Sequence, residues 1–168
     1  MKYKTIARNT DFSGSTLDDC DMSYGDYRGS NFSRCSAKRT KFTGSNLRGC
    51  NTVKMLIDGE SLIGVDTRMV NLKGSIIDGE EVKKQPIVIN GLPWFVLITD
   101  NYMRLGCERH THQDWKNMKI KDMEKIGEIA VYIFQKYSSL LFTLCDLHSN
   151  TAIPTGVMQC QPNCNVSN

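Results

Sequence analysis

Large apolar residues stand at every fifth position from residue 12 to residue 77. In order they are Phe12, Leu17, Met22, Tyr27, Phe32, Ala37, Phe42, Leu47, Thr52, Ile57, Leu62, Thr67, Leu72 and Ile77, with Ala37, Thr52 and Thr67 the exceptions. Two residues before each centre the side chain is mostly small, as in Ser15, Ser30, Cys35, Ser45 and Cys50. The position between is often Asp or Asn, as in Asp11, Asp21, Asn31, Asn46 and Asn71. Two residues after the centre Gly recurs, at Gly14, Gly29, Gly44, Gly49, Gly64 and Gly74. A helix repeats every ~3.6 residues and a strand every two, so neither produces this spacing. The pattern predicts a chain that turns a corner every five residues and sends one large and one small side chain inward from each side. Gly suits such corners because it tolerates positive φ. Asp and Asn favour them through bonds to nearby backbone.

Three passages, Thr10-Asp11-Phe12-Ser13-Gly14, Ser30-Asn31-Phe32 and Ser45-Asn46-Leu47-Arg48-Gly49, resemble the pentapeptide-repeat family, whose loose pattern is A(D/N)LXX. The resemblance covers residues 10–79. It implies a mainly β fold, a right-handed four-sided β-helix with four pentads per lap, so that residues twenty apart stack. Phe12, Phe32, Thr52 and Leu72 then form one column, and Leu17, Ala37, Ile57 and Ile77 the next. The expected core is Phe12, Leu17, Met22, Tyr27, Phe32, Phe42, Leu47, Ile57, Leu62, Leu72 and Ile77. Met55 and Glu60 are too large for their small-residue positions, so the lap is expected to bulge or break there. Residues 1–9 read as an N-terminal cap with a strand around 4–8, because the end of a stacked array needs covering.

The pattern changes after Gly79. Glu80-Glu81 and Lys83-Lys84 predict an exposed link, and Ile87-Val88-Ile89 a short strand. Residues 94–98 predict a buried strand, Asp100-Asn101 a turn and residues 102–107 the returning strand of a β-hairpin. From residue 119 to residue 147 the period becomes helical. Ser138-Ser139 marks an expected break into two helices. The apolar stripe is wider than a hairpin covers, so Ile126, Ile133, Phe134, Tyr137, Leu141 and Leu144 are the residues expected at a homodimer interface. The alternative is that they simply cap the repeats. Residues 80–148 thus form a hairpin-plus-helix C-terminal module, and the Asn/Gln/Thr/Pro-rich tail 149–168 is expected to be flexible.

Composition narrows the classes. The chain has 168 residues, 40% apolar and 23% charged, which suits one soluble domain with an appendage. No stretch is long and apolar enough to span a bilayer, so no membrane partner is expected. Seven Cys without scaffold spacing suit a reducing cytoplasm. The segment Gly106-Cys107-Glu108-Arg109-His110-Thr111-His112 with Trp115 resembles the region that follows the repeats in some phage and prophage proteins. It implies a bacterial cytoplasm, or that of the host if the chain is phage-encoded.

In an extended chain Glu108, His110 and His112 share a face, and with Cys107 they are a candidate zinc site. Cys145, His148, Cys160 and Cys164 are possible further ligands, but the spacings match no standard zinc pattern. A Cys107–His110 nucleophile pair lacks an orienting third group. Arg28, Arg48 and Arg68 lie twenty apart, so the four-sided geometry stacks them into a ladder for phosphate, nucleotide or nucleic acid. Against that ladder, Asp18, Asp19, Asp21 and Asp26 lie close by, and a solvated mixed surface is preferred. Some pentapeptide-repeat proteins mimic duplex DNA through an acidic surface. Residues 1–80 carry 12 Lys+Arg and 10 Asp+Glu, a net of +2 and the wrong sign for mimicry. The sequence therefore points to a non-enzymatic protein without a cofactor, presenting a rigid surface to a bacterial macromolecule. Metal or anion sequestration is the alternative.

Overall fold

The structure, a computed structural model, describes residues 4–150. The expected corners are present. Asn9, Gly14, Asp19, Tyr24, Gly29, Arg34, Arg39, Gly44, Gly49, Lys54, Gly64, Met69 and Gly74 all have φ between 51° and 80°. That is every fifth residue from 9 to 74, with position 59 alone skipped. Seven of the thirteen are not Gly, although each left-handed L-residue costs roughly 1–2 kcal/mol. Packing across the laps, rather than local preference, therefore imposes the corner.

Between corners the chain pairs with itself in parallel, twenty residues on. Strand β1 (Thr5–Ile6) pairs with β2 (Gly25–Asp26), and β3 (Ser36–Ala37), β4 (Leu56–Ile57) and β5 (Ile76–Ile77) pair in series. Single bridges complete four lines of pairing, through residues 6, 26, 46 and 66, residues 11, 31, 51 and 71, residues 16, 36, 56 and 76, and residues 21 and 41. The strands are only two residues long and gather into small separate sheets.

Eleven of the fourteen pentad centres are buried, and Phe12, Leu17 and Thr67 are half-buried. Phe12 stacks on Phe32 with ring centroids 4.8 Å apart, but it and Leu17 lie in the first lap. There the incoming residues 4–9 cover only one of the four lines. Met55 fits inside at 1% exposure despite its size. Glu60 does not, and residues 59–62 form a single 3-10 turn that keeps Leu62 inside while Glu60 is exposed.

The far end is closed by mimicry of a further lap. Strand β6 (Glu80–Glu81) doubles back antiparallel on β5. The Val82 amide donates to the Ser75 carbonyl at 3.0 Å. The Gln85 side chain then accepts from the Leu72 amide at 2.8 Å and donates to the Val70 carbonyl at 3.1 Å, where a next lap would otherwise bond.

Beyond it lies an antiparallel sheet of four strands, where the sequence predicted a hairpin. Its order is β10 (Glu108–Thr111), β9 (Tyr102–Leu105), β8 (Val96–Ile98), β7 (Ile87–Ile89). Strand β10 was not anticipated because Glu-Arg-His-Thr has no apolar alternation to announce it. Helices α1 (His112–Asn117), α2 (Ile120–Ile126) and α3 (Glu128–Asn150) cover one face. Trp115 of α1 is buried there and donates its ring N–H to the Met103 carbonyl at 2.6 Å. The expected break at Ser138-Ser139 does not occur, and α3 is continuous. The helical run is interrupted instead at Gly127, whose φ of 136° no side-chain-bearing residue adopts readily. Two apolar cores result, one inside the repeats and one between sheet and helices. Phe95, Leu97 and Val88 of the sheet region pack on the first.

Candidate functional site

The most distinctive surface on the molecule is the interrupted lap. Residues 58–62 stand off from the line that passes through residues 21 and 41, and an open cleft of about 600 Å³ lies beside them. Arg39, Lys41 and Arg104 bring positive charge to it, and Asp58, Glu60 and Asp78 bring negative charge. Two of these carboxylates, Asp58 and Asp78, replace bonds that a regular lap would make. The Arg39 amide, whose counterparts donate to a backbone carbonyl, donates to Asp58 Oδ2 at 2.5 Å. Asp78 Oδ1 accepts from the Gly59 amide at 2.9 Å.

Arg104 comes from β9, and its side chain is 10% exposed. It reaches across to Asp78 Oδ2 at 3.0 Å, Glu60 Oε1 at 3.1 Å and its own neighbour, the Cys107 carbonyl, at 3.3 Å. A Cβ added at Gly59 would lie 2.8 Å from Asp78 Oδ2 and 3.0 Å from Arg104 Nε, so a larger residue there would displace this ion pair. Sequence reasoning found Glu60 as an irregularity but missed Arg104, whose partners are 26 and 44 residues away.

The Arg ladder is compensated. Arg28 forks onto Asp26 at 2.8 Å, Arg68 reaches Asp66 at 2.7 Å, and Arg48 Nη2 lies 3.1 Å from Met69 Sδ. Asp26 is fully buried, and the Arg28 guanidinium, with Arg8 at 2.5 Å, holds its carboxyl well below the usual carboxylate range. Arg28 and Arg68 therefore engage acids of their own pentads, and Arg48 lies on the Met69 sulfur.

The segment 107–112 is not brought together as a metal site. His110 Nε2 lies 3.2 Å from Glu108 Oε2, and its ring meets the Trp115 edge at 5.0 Å. His112 begins α1 rather than continuing the strand, so it does not share the face expected of it; its Nδ1 lies 3.0 Å from Ser149 Oγ. Burial lowers the His112 pKa from its ordinary value. Cys107 is exposed. Cys145 is buried beside Met103, and burial pushes its thiol up to about 11. Among the described residues no group of three or more His, Cys, Asp or Glu side chains is arranged to hold a metal. Cys160 and Cys164 lie outside the described residues, as does the tail from residue 151.

The predicted association stripe faces inward. Ile133 and Leu141 are 0% and 2% exposed, and Ile126, Phe134, Tyr137 and Leu144 pack half-buried against the same core. A sheet of four strands has enough surface to cover what a hairpin does not. The outer face of α3 instead shows Ile129, Tyr132, Leu140 and Leu147, each about half exposed.

The family model for pentapeptide repeats, in eight copies, matches residues 4–34 and 24–51. The chain carries pentapeptide repeats. In the structure their geometry continues beyond the matched residues, as far as Gly74 and Ile77. No curated protein and no solved structure matches the chain. Among the described residues no helix is long and apolar enough to cross a membrane.

Proposed function

We propose that the repeats wind as a right-handed four-sided β-helix and that the protein is a non-enzymatic binding protein, displaying this rigid surface to a macromolecular partner in a bacterial cytoplasm. If the chain is phage-encoded, the compartment is the host's. Four lines of pairing and one corner per five residues support the winding. The observation that carries the binding role is the array itself. Outward side chains are fixed in position by corners that even Tyr24, Arg34 and Met69 adopt, and a recess opens between residues 39–43 and 58–63. A protein partner fits that recess better than a polyanion, because its acids and bases balance. Free thiols at Cys20, Cys35, Cys50, Cys107 and Cys145 suit a reducing compartment. We further propose a homodimer, now through the outer face of α3. Light scattering of the full chain and of its Leu140→Glu variant tests it, and a monomeric parent would overturn it.

The binding role is tested by capture from bacterial lysate on the full chain and on a Lys41→Glu/Thr43→Glu variant, followed by calorimetry with the purified captured protein. Binding to the parent that weakens at least tenfold in the variant supports the reading. Equal binding to both places the contact elsewhere, and no saturable binding to the parent overturns it.

A further inference from the structure

The interrupted lap has the right number of residues to be uninterrupted. Residues 46 and 66 pair across it, as do residues 56 and 76, so the twenty-residue count holds through residue 61. Leu62 already fills its pentad centre at 0% exposure. What is missing is the rung opposite Lys41. In every neighbouring line the upper residue donates its amide to the carbonyl before its partner, as Lys41 does to Cys20 and Asp66 to Ser45. By that rule the Ser61 amide belongs on the Thr40 carbonyl, and the Phe42 amide on the Ser61 carbonyl. Instead the Ser61 amide turns back to the Asp58 carbonyl at 3.0 Å. Among the described residues nothing bonds the Thr40 carbonyl or the Phe42 amide, although both residues are at most 1% exposed. Buried backbone groups are almost always paired, so this pair marks a place where a bond is withheld.

Glu60 explains the withholding. Its position is the inward, small-residue one, filled by Ser30, Thr40 and Ser45 in other pentads. A carboxylate there would be buried among Phe42 and Leu62. The 3-10 turn lets it point outward, with its side chain 62% exposed, onto Arg104.

We infer that residues 58–62 form a strap with two positions, held out by the Glu60–Arg104 pair and able to enter the lap as the absent rung. In the inner position Ser61 bonds Thr40 and Phe42, and the cleft beside Lys41 closes. Because Arg104 belongs to β9, the C-terminal sheet governs the shape of the repeat surface. Any partner that draws Arg104 away releases the strap. This deepens the proposed function only in saying how the recess opens and closes, and it holds or fails whether or not a partner binds there.

The experiment is amide hydrogen exchange by nuclear magnetic resonance on the full chain and its Glu60→Ser variant, with the amides of Met22 and Phe32 as paired references. Glu60 is exposed, and Ser is the residue other pentads carry, so the variant is expected to fold. Its Phe42 amide should exchange at least tenfold more slowly than in the parent, relative to those references. Arg104→Gln, which removes the latch from the other side, should slow the same amide. Unchanged Phe42 exchange in a folded Glu60→Ser variant would overturn the strap. A parent whose Phe42 amide is already as protected as that of Phe32 would overturn it equally, by showing the rung to be formed.

Discussion

The repeats and the C-terminal module reach their order by opposite routes. In the repeats each residue's place follows from its remainder on division by five, and its neighbours lie twenty residues either way. In the module the contacts obey no period. The Trp115 ring bonds Met103, the Cys145 thiol lies on Met103, and the Lys84 ammonium meets the His148 carbonyl at 2.7 Å, 64 residues away. A periodic array gains its stability from interfaces between equivalent laps, so it needs an end piece that is not equivalent. The module is that piece, and the contrast shows that irregular sequence is concentrated where the regular one has to stop.

The contrast is sharpest at the aromatic stack. Phe32 touches Phe12, Tyr27 and Phe42. Phe32→Ala is expected to cost about 3–5 kcal/mol, read from urea denaturation. A loss below about 1 kcal/mol would mean that the laps do not share a packed interior. Next comes the joint between the regions. Arg104→Ala leaves Asp78 and its neighbours without their main counter-charge and should cost about 3 kcal/mol. It should also separate unfolding of the repeats from that of the module, which calorimetry would register as two transitions. A single, unshifted transition would show that Arg104 does not couple them.

A milder test uses pH. The folded-state pKa of His112 lies below its unfolded value of 6.5, chiefly through burial. The unfolded chain then binds the proton more readily, so this contribution to stability is intact above pH ~6.5 and declines as pH falls below it. The slope of melting temperature against pH should flatten in His112→Gln. An equally steep slope would assign the acid sensitivity elsewhere. The smallest effect concerns the corners. Met69 is 75% exposed and sits at φ 59°. Met69→Gly is expected to raise stability by about 0.5–1 kcal/mol by relieving the left-handed conformation. A destabilised variant would show that the Met69 side chain holds the corner.

The five-residue period made the corners and the inward columns readable, because each position repeats fourteen times and one deviation cannot hide it. Glu60 was visible as an irregularity for the same reason. Its partner was not, because a buried Arg in Tyr-Met-Arg-Leu looks like any strand residue until Asp78 is folded beside it. The module was harder to read. Strand β10 is held by register with β9 rather than by its own apolar content. A hairpin alone would leave the inner stripe of α3 uncovered, as a dimer interface would be, whereas the four-stranded sheet covers it. Arg28, Arg48 and Arg68 lie twenty apart in the sequence, but the Asp two residues before Arg28 and Arg68 takes up their charge.

The Gln85 amide sets a rule for the length of this molecule. It reads the backbone of residues 70 and 72, on one line of the four. Duplicating a twenty-residue block would present the same line to the amide and leave the lid seated. Inserting a single pentad would rotate a different flank beneath it, and a five-residue insertion that melted as cooperatively as the parent would contradict this. Growth of the repeats is thus quantised in twenties, although their alphabet is written in fives.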